Sequence, residues 1–255
     1  MWELYDALIN EIPENITVQD YCNGRLWSEV QTNQGTGVAM LIDGVSRPPM
    51  HPTSFFGEPL KKMAECIKSW NFAEASLGLA AINAWYNTPP HTDSLNITYG
   101  KNRVERDAFV TYQEEITDKK VTVIGHFPFL ETRFQPICSL SVLERNPKEG
   151  DFPDSACEYL LHEQDYVFIT GVTIINKTLP RLLELSKNAK VVLVGPSVPL
   201  APCLFHFGVH SLESFLVTSP QKCSEFVRQR LNGSLFSCGK MVSLANKTNT
   251  NEVSL

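Results

Sequence analysis

Five short apolar segments alternate with segments of helical character in the C-terminal part of this 255-residue chain. They are VTVIG (121–125), ICSLSVLE (137–144), YVFIT (166–170), VVLVG (191–195) and SFLVT (214–218). Continuous apolar strands that are separated by helices are typical of a parallel sheet with both faces covered. The alternation therefore predicts an α/β fold with a doubly wound parallel sheet over residues 105–245.

The N-terminal part of the chain has a different pattern. Apolar residues at helical spacing predict a first helix within residues 1–12. Three strand-like runs follow, with Asn23-Gly24 as a hairpin signal, and two helices are predicted at 59–69 and 72–86. We therefore expect a small α+β unit over residues 1–90.

Two polar segments interrupt or end this pattern. The run NTPPHTDSLNITYGKN predicts a linker over residues 91–104, because it is polar and contains two prolines. The last ten residues, 246–255, are polar as well and predict a frayed tail.

Charge and composition exclude some classes of partner. The chain carries 22 Lys and Arg against 28 Asp and Glu, and a net charge of −6 without basic clusters predicts no nucleic-acid partner. The longest apolar run, YVFITGVTII, is about half the roughly 18 residues of a membrane span, so we expect no membrane insertion. The first residues do not resemble a signal peptide, and seven cysteines without a Cys-x-x-Cys pair predict a cytoplasmic chain with reduced thiols.

The candidate binding site follows from the predicted sheet. Ligands of an open parallel sheet bind beyond the carboxyl ends of the strands, where the next backbone N–H groups are unpaired. The residues that follow the predicted strands are Gly125, His126, Phe127 and Pro128, then Glu144, then Thr170, Gly171, Thr173 and Asn176, and finally Gly195, Pro196 and Ser197. We expect these four chain reversals to gather on one rim that faces the N-terminal unit.

Glu144 and His126 are the acid–base candidates on this rim. Glu144 follows Gly125 by 19 residues, the offset at which dinucleotide-binding proteins place an acidic residue on a ribose hydroxyl. However, GHFPFL has one glycine where that fingerprint has three, and Phe127 would obstruct a pyrophosphate. The sequence therefore argues against NAD and leaves a nucleoside-like or small anionic ligand open, beside the alternative that Glu144 is a solvated strand end.

The remaining rim residues have structural alternatives. Thr170-Gly171 and Thr173 offer hydroxyl groups in a turn, either to a ligand or to the backbone. Ser197 precedes Pro199 and is placed either to cap a helix or to contact a ligand. Because no Gly-x-Ser-x-Gly elbow surrounds Ser197, we do not expect a hydrolase nucleophile there.

A metal site is the other alternative raised by the residues. Cys203, His206 and His210 fall within about 60° of each other on an ideal helix, and thiolate and imidazole bind zinc and softer ions. Gly208 is a natural helix end, however, and the apolar neighbours favour simple packing of Cys203. His126 is the stronger metal candidate because it follows a strand directly, with Cys203 and His206 as weaker ones.

Several segments together resemble a known protein family. They are SLGLAAINAWYN (76–87), GHFPF (125–129), VLERNPKEGDFPD (142–154), DYVFITGVTIINKT (165–178) and GPSVPLAPCLF (195–205). This set resembles the family called putative heavy-metal chelation proteins over nearly the whole chain. The resemblance implies an enolase N-terminal-like domain, a Rossmann-like domain and a site in the cleft between them.

The resemblance also implies a set of ligand-binding residues. It adds Asn83, Asp151 and Pro153 to the rim residues. The full set is Asn83, Gly125, Phe127, Pro128, Glu144, Asp151, Pro153, Thr170, Gly171, Thr173, Asn176, Gly195, Pro196 and Ser197.

Three functions stay open at the level of sequence. The first is a protein that binds a metal ion, a metal complex or a small anionic ligand in the interdomain cleft, with Asn83, His126 and Glu144 as donors. The second is an enzyme that uses a nucleoside-like cofactor or a small anion, and the third is a scaffold without catalysis. The cofactor is not determined, a transition metal ion being one alternative, and a homo-oligomer is an open alternative for the assembly.

Overall fold

The computed structural model describes residues 2–43, 47–51, 53–99, 107–229 and 232–246. The end of the predicted linker, residues 100–104, and nearly all of the predicted tail, residues 247–255, lie outside this part of the chain.

The N-terminal unit consists of a three-stranded antiparallel sheet and three helices. Its strands, in the order β1-β2-β3, are β1 (Val18–Asn23), β2 (Trp27–Thr32) and β3 (Thr36–Met40). Its helices are α1 (Glu3–Asn10), α2 (Leu60–Ala64), which continues as the 3₁₀ helix Glu65–Lys68, and α3 (Phe72–Tyr86).

Helix α3 is the centre of the N-terminal unit. It begins where the Asn71 side chain accepts the backbone N–H of Glu74 at 3.1 Å, a typical N-cap. Most of its residues are buried, because β3 packs on one side and the 3₁₀ helix on another. A Cβ at Gly37 would lie 2.1 Å from the nitrogen of Ala84, so only glycine lets β3 approach this closely.

The C-terminal unit is built on an eight-stranded sheet. Its strands are β4 (Thr98–Tyr99), β5 (Lys120–Ile124), β6 (Ser139–Glu144), β7 (Phe152–Pro153), β8 (Tyr166–Thr170), β9 (Lys190–Val194), β10 (Val209–Val217) and β11 (Gly239–Ala245). The order is β4-β11-β10-β9-β8-β5-β6-β7. Strands β5 to β10 pair in parallel, whereas β11 and β4 add antiparallel edges.

Short helices connect these strands. They are α4 (Pro89–Thr92), α5 (Ala108–Thr111), α6 (Gln113–Ile116), α7 (Leu130–Arg133), α8 (Cys157–Leu160), α9 (Val172–Ile175), α10 (Leu179–Leu185) and α11 (Pro220–Val227). The 3₁₀ helices are Asp154–Ala156, Leu161–Glu163, Pro202–Phe207 and Leu235–Cys238. Helix α4 and strand β4 lie in or beside the segment predicted as a linker. In the part of the chain that the structure describes, no helix combines the length and apolar character needed to cross a bilayer.

Both faces of the large sheet are buried, as the continuous apolar strands predict. Val167 and Ile169 of β8 belong to the large core that the two units share, whereas Phe168 between them belongs to a second apolar cluster on the opposite face. Residues of β9 alternate in the same way. The predicted α/β class, a small α+β unit followed by a Rossmann-like sheet, is confirmed.

The strand order identifies where a ligand site is expected. From β5 the chain passes to β6 on one side of it and then to β8 on the other. This is the 2-1-3-4-5 order, whose crevice opens between the carboxyl ends of the first and third strands. Here those ends are at Gly125 and Thr170.

Candidate functional site

A cavity of about 630 Å³ opens at the carboxyl ends of β5, β6 and β8. Five of the predicted ligand-binding residues line it: Gly125, Glu144, Thr170, Thr173 and Asn176. The opposite wall comes from the α8 and α10 regions and includes Ser155, Glu158 and Arg181, and Ile42 contributes from the N-terminal unit. The cavity thus joins apolar surface to hydroxyl, carboxylate and guanidinium groups.

Glycine at position 125 keeps the crevice between β5 and β8 open. Its φ angle is +99°, and an added Cβ would lie 3.1 Å from the Cγ2 of Thr170. The ring of Phe127 lies close to this point and also 3.9 Å from the position of a Cβ at Gly195, while it packs on Phe109 with ring centroids 4.8 Å apart. Phe127 therefore covers the end of β9, and Gly195 does not line the cavity.

The Glu144 side chain connects the turn after β5 with the turn after β6 through hydrogen bonds. Its Oε2 accepts the backbone N–H of His126 at 3.0 Å, and its Oε1 accepts that of Asn146 at 3.1 Å. The side chain is half-buried and lines the cavity. It thus orients the His126 backbone and still offers lone pairs to a ligand.

His126 lies between two further carboxylates. Its Nδ1 is 3.0 Å from both oxygens of Asp151, and its Nε2 is 3.2 Å from Oε1 of Glu131. The Asp151 side chain is 3% exposed and also accepts the backbone N–H of Lys148 at 3.0 Å, whereas Glu131 is 51% exposed. One ligand atom from each of the three residues lies within 4.8 Å of the others, and among the described residues no other group of this kind is as tight.

The donor set of this His126 group suits a divalent metal ion. One imidazole and two carboxylates are borderline and hard ligands, which bind zinc and other first-row ions. Asp151 was expected from the resemblance and His126 from its strand-end position, but Glu131 was missed. Phe129 adopts a left-handed conformation with a φ of +70° immediately before α7. The chain reversal there directs the first turn of α7, which contains Glu131, toward His126. The nearest sequence signal is an acidic residue five positions after the strand-end histidine.

The turn after β8 is held by its own side chains. The Thr173 hydroxyl donates to the carbonyl of Thr170 at 2.7 Å, and Asn176 Oδ1 accepts from both the amide and the hydroxyl of Thr178. A Cβ at Gly171 would lie 2.8 Å from the backbone of Ser197, so this glycine allows two strand-end turns to touch. The turn is therefore rigid, with Thr170, Thr173 and Asn176 on the cavity side.

Asn83 and Ser197 join the two units rather than line the cavity. Asn83 is buried, and its Nδ2 donates to the carbonyls of Val38 at 2.8 Å and Ser197 at 3.3 Å. The Ser197 hydroxyl accepts the backbone N–H of Met40 at 2.8 Å and caps no helix. Asn87, which follows α3, was not predicted from the sequence. Its side chain donates a hydrogen bond to the carbonyl of Val198 and accepts one from the backbone N–H of Leu200.

The prolines of the predicted set are peripheral. Pro128 is exposed, and Pro153 lies in the edge strand β7 opposite Glu144. Pro196 is half-buried. None of the three lines the cavity.

Cys203, His206 and His210 do not converge. The segment forms a 3₁₀ helix that ends at Gly208 in a left-handed conformation, so His210 belongs to β10 and its Nδ1 accepts the backbone N–H of Val191 at 3.1 Å. His206 is exposed, and burial raises the pKa of Cys203 to about 11. This helix therefore packs Cys203 in the core and supplies no ligand cage.

Fold and site together define a class: an α/β protein with a Rossmann-like sheet, a strand-end cavity and a small α+β unit packed against it. Residues 107–245 match the family DUF364 and residues 5–86 match DUF4213, both described as "Putative heavy-metal chelation". The chain belongs to the DUF364 family, which confirms the resemblance seen in the sequence.

Relatives of known structure share this architecture. The crystal structure of a DUF364-family protein of unknown function from Desulfitobacterium hafniense is similar with a TM-score of 0.90 and 43% identity, over 96% of this chain and 99% of that one. A second, from Pyrococcus horikoshii, has a TM-score of 0.80 at 23% identity, over 95% and 100%. An uncharacterized protein of Methanocaldococcus jannaschii is 27% identical over 90% of each chain.

Proposed function

We propose that this protein binds a divalent metal ion, or a complex of such an ion with a small anionic ligand, at the carboxyl-end rim of the large sheet. The observation that carries the proposal is the His126 group, with three metal-ligand side chains within 4.8 Å of each other at the end of β5. The description of the family as heavy-metal chelation agrees with this chemistry.

The three side chains differ in how firmly they are held. Asp151 is buried and bonded to backbone, and the backbone of His126 is fixed by Glu144. Glu131 is on the exposed first turn of α7 and can adjust to the ion. Two fixed ligands and one adaptable ligand make a site that an ion can enter from solvent.

The donors proposed from sequence are thereby revised. Asn83 uses its amide to join the two units, and Glu144 acts through the backbone of His126 rather than as a member of the group. Glu144 also lines the neighbouring cavity, and we propose that this cavity holds the organic or anionic part of a metal complex. We propose a cytoplasmic location, which suits seven free thiols.

Calorimetric titration of the tag-free protein with Zn²⁺ and Co²⁺ tests the metal site. We expect one ion per chain, with affinity lowered at least about tenfold in His126→Ala, which removes the imidazole, and in Asp151→Asn, which removes the carboxylate in contact with the His126 Nδ1. The exposed His206→Ala is the matched control and should bind as the parent does. Absence of stoichiometric binding, or equal affinity in His126→Ala and the parent, would refute the proposal.

A second function is favoured by the position of the cavity. The cavity lies at the switch point of a 2-1-3-4-5 sheet, and Glu144 ends the second strand of that order. This arrangement suits a nucleoside-like ligand whose hydroxyl groups donate hydrogen bonds to Glu144. The protein would then be an enzyme or a carrier for that ligand. Glu144 and His126 are its acid–base candidates.

A thermal-shift screen with nucleosides, nucleotides and small anions separates the two functions. For a nucleoside ligand, we expect a rise in melting temperature that Glu144→Gln reduces and that His126→Ala leaves largely in place. The exposed Glu149→Gln serves as control. If no nucleoside shifts the parent protein, or if Glu144→Gln responds as strongly as the parent, the cavity does not serve this class of ligand.

A further inference from the structure

A second group of thiol and carboxylate side chains lies where the β1–β2 hairpin packs on α11. None of its residues belongs to the His126 group. We call Cys22, Glu29, Cys223 and Cys238 the thiol cluster. Cys22 and Glu29 are direct partners across β1 and β2, so their side chains project from the same face of the sheet. Cys223 comes from α11 and Cys238 ends the 3₁₀ helix Leu235–Cys238.

The three thiols share one environment. Cys223 and Cys238 are fully buried members of a small apolar cluster, and the half-buried Cys22 packs against it. Burial raises the pKa of each thiol, and the carboxylate of Glu29 raises all three further. The thiols of Cys223 and Cys238 also interact with each other. Glu29 thus lies within electrostatic reach of every cysteine of the cluster.

The buried carboxylate of Glu29 is a second observation, separate from the clustering of the thiols, that points to a bound cation. The Glu29 side chain is 0% exposed and its Oε1 accepts from the Gln31 amide at 3.2 Å, whereas its Oε2 makes no hydrogen bond of ordinary length, although the Ser224 hydroxyl and the Cys223 thiol lie close enough to interact with the carboxylate. The nearby hydroxyl of Ser224 and the charge of Arg228 favour the ionised form, but burial outweighs them and raises the pKa. A buried carboxylate oxygen without a partner is costly, and a cation among the three thiols would satisfy it.

Direct contacts hold the β1–β2 hairpin against the C-terminal end of α11, on either side of the thiol cluster. A Cβ at Gly24 would lie 2.0 Å from the carbonyl oxygen of Val227, so the hairpin turn touches the end of α11 directly. The guanidinium of Arg228 pairs with Asp20 at 2.6 Å across the same junction. The ligands therefore come from both units but are held in place by tight packing.

We propose that the thiol cluster is a binding site for a single thiophilic metal ion, of the class of Cd²⁺, Hg²⁺ or Cu⁺. Thiolate ligands select soft ions, whereas the imidazole and carboxylates of the His126 group do not. As each metal–sulfur bond forms, an S–H bond breaks and its proton passes to water, so binding strengthens as the pH rises.

The approach of the ion requires a small adjustment of the ligands. Among the described residues, only the His126 group already has three ligand atoms within 4.8 Å of each other. Cys22 is half-buried at the edge of the cluster, and in the proposed binding mode its side chain rotates to complete the site. Cys223, Cys238 and Glu29 form the buried part that receives it.

Titration of the reduced, tag-free full-length chain with CdCl₂ tests the site through the ultraviolet charge-transfer absorption of cadmium thiolate. We expect saturation at one Cd²⁺ per chain, and an affinity lowered about a hundredfold or more in Cys223→Ala and Cys238→Ala, since even the loss of an outer partner costs 10–100-fold. Glu29→Gln should weaken binding, and Cys22→Ala should reduce the absorption.

Cys66→Ala is the matched control. Cys66 is also buried beside a buried glutamate, with its sulfur 3.8 Å from Glu74 Oε1, but that site has one thiol. The variant should bind cadmium as the parent does, and so should His126→Ala, which separates this site from the metal site proposed above.

Two results would overturn the proposal. One is charge-transfer absorption that persists in Cys223→Ala and Cys238→Ala or disappears equally in Cys66→Ala. The other needs no variant and so does not depend on how the variants fold: a ¹¹³Cd NMR spectrum of the wild-type complex in which every resonance is typical of oxygen and nitrogen ligands and none is typical of sulfur ligands. A shift typical of two or more sulfur ligands supports the site.

Discussion

Lys177 shows at the scale of one residue how the two units are joined beside the cavity. It has a left-handed φ of +67°, and its ammonium group donates to the carbonyls of Ser69 in the N-terminal unit and Ile175 in its own turn. The Nζ atom lies 5.6 Å from the ring centroid of Trp70 and 5.2 Å from that of Phe72. Burial lowers the pKa of Lys177 to about 8.

The lowered pKa predicts a pH dependence of stability. Between about pH 8 and the ordinary lysine pKa of 10.5, the unfolded chain binds more protons at this residue than the folded chain, so its contribution to the free energy of unfolding rises with pH. Urea unfolding at pH 7 to 10.5 should show the parent gaining stability relative to Lys177→Met across this window. The difference in slope is at most about 1.4 kcal/mol per pH unit, the limit for one proton.

Exposed Lys187→Met is the control, and its profile should run parallel to that of the parent. The comparison with a variant is needed because buried tyrosines act in the opposite direction: burial raises the pKa of Tyr5, Tyr86 and Tyr112, and the unfolded chain therefore releases protons first at high pH. If the parent and Lys177→Met change identically with pH, the ammonium group is not desolvated in solution.

At the scale of elements, the apolar strands were predictable and the polar ones were not. Strands β5, β6, β8 and β9 match the predicted segments within a few residues, because both of their faces are buried. Strand β10 begins at Val209, although only 214–218 was predicted. Its first half contains the buried polar residues Ser211 and Glu213, where Glu213 Oε1 accepts from the Ser211 hydroxyl at 2.9 Å and from the Ser243 hydroxyl at 2.7 Å. These polar residues interrupt the apolar pattern from which the strand was predicted.

Only part of the candidate site was predictable from the sequence. The strand-end rule identified Gly125, Glu144 and Thr170, since the carboxyl ends of parallel strands must meet at one edge. Glu131 depends on the left-handed turn at Phe129, and the cavity wall from α8 and α10 depends on how short helices pack. Neither leaves a periodic signal in the sequence.

The family resemblance implied which residues belong to the site but not whether each one lines the cavity or joins the two units. It placed Asn83 and Ser197 in the cleft with the others, but in the structure they bond across the junction and lie away from the cavity. The set implied by the resemblance therefore combines residues that line the cavity with residues that join the two units. Only the hydrogen bonds distinguish them.

At the scale of the whole molecule, the two units share one hydrophobic core. The largest cluster of buried residues includes Leu8 and Ala80 of the N-terminal unit together with Leu193 and Leu212 of the large sheet. Buried polar groups cross the same junction, since Asn87 donates to Val198 and Ser214 and accepts from Leu200. The largest core is therefore formed by residues of both units.

This shared core predicts a single cooperative unfolding transition. The four tryptophans are all N-terminal, at Trp2, Trp27, Trp70 and Trp85, so their fluorescence reports that unit, whereas far-UV circular dichroism reports the whole chain. We expect the two urea curves to coincide. Asn87→Ala should shift both curves together to lower urea concentration and reduce the free energy of unfolding by about 2 kcal/mol or more, because it leaves the Leu200 N–H and the Val198 carbonyl buried without this partner.

Asn188→Ala, at an exposed position, should leave both curves where they are. If the tryptophan transition in the parent precedes the circular dichroism transition, the N-terminal unit opens on its own and the shared core does not couple the two units. If the curves coincide in the parent but separate in Asn87→Ala, the coupling runs mainly through this asparagine rather than through the apolar contacts. The coincidence of the curves in both proteins would show that the apolar junction alone holds the units together, with Asn87 adding stability to the whole.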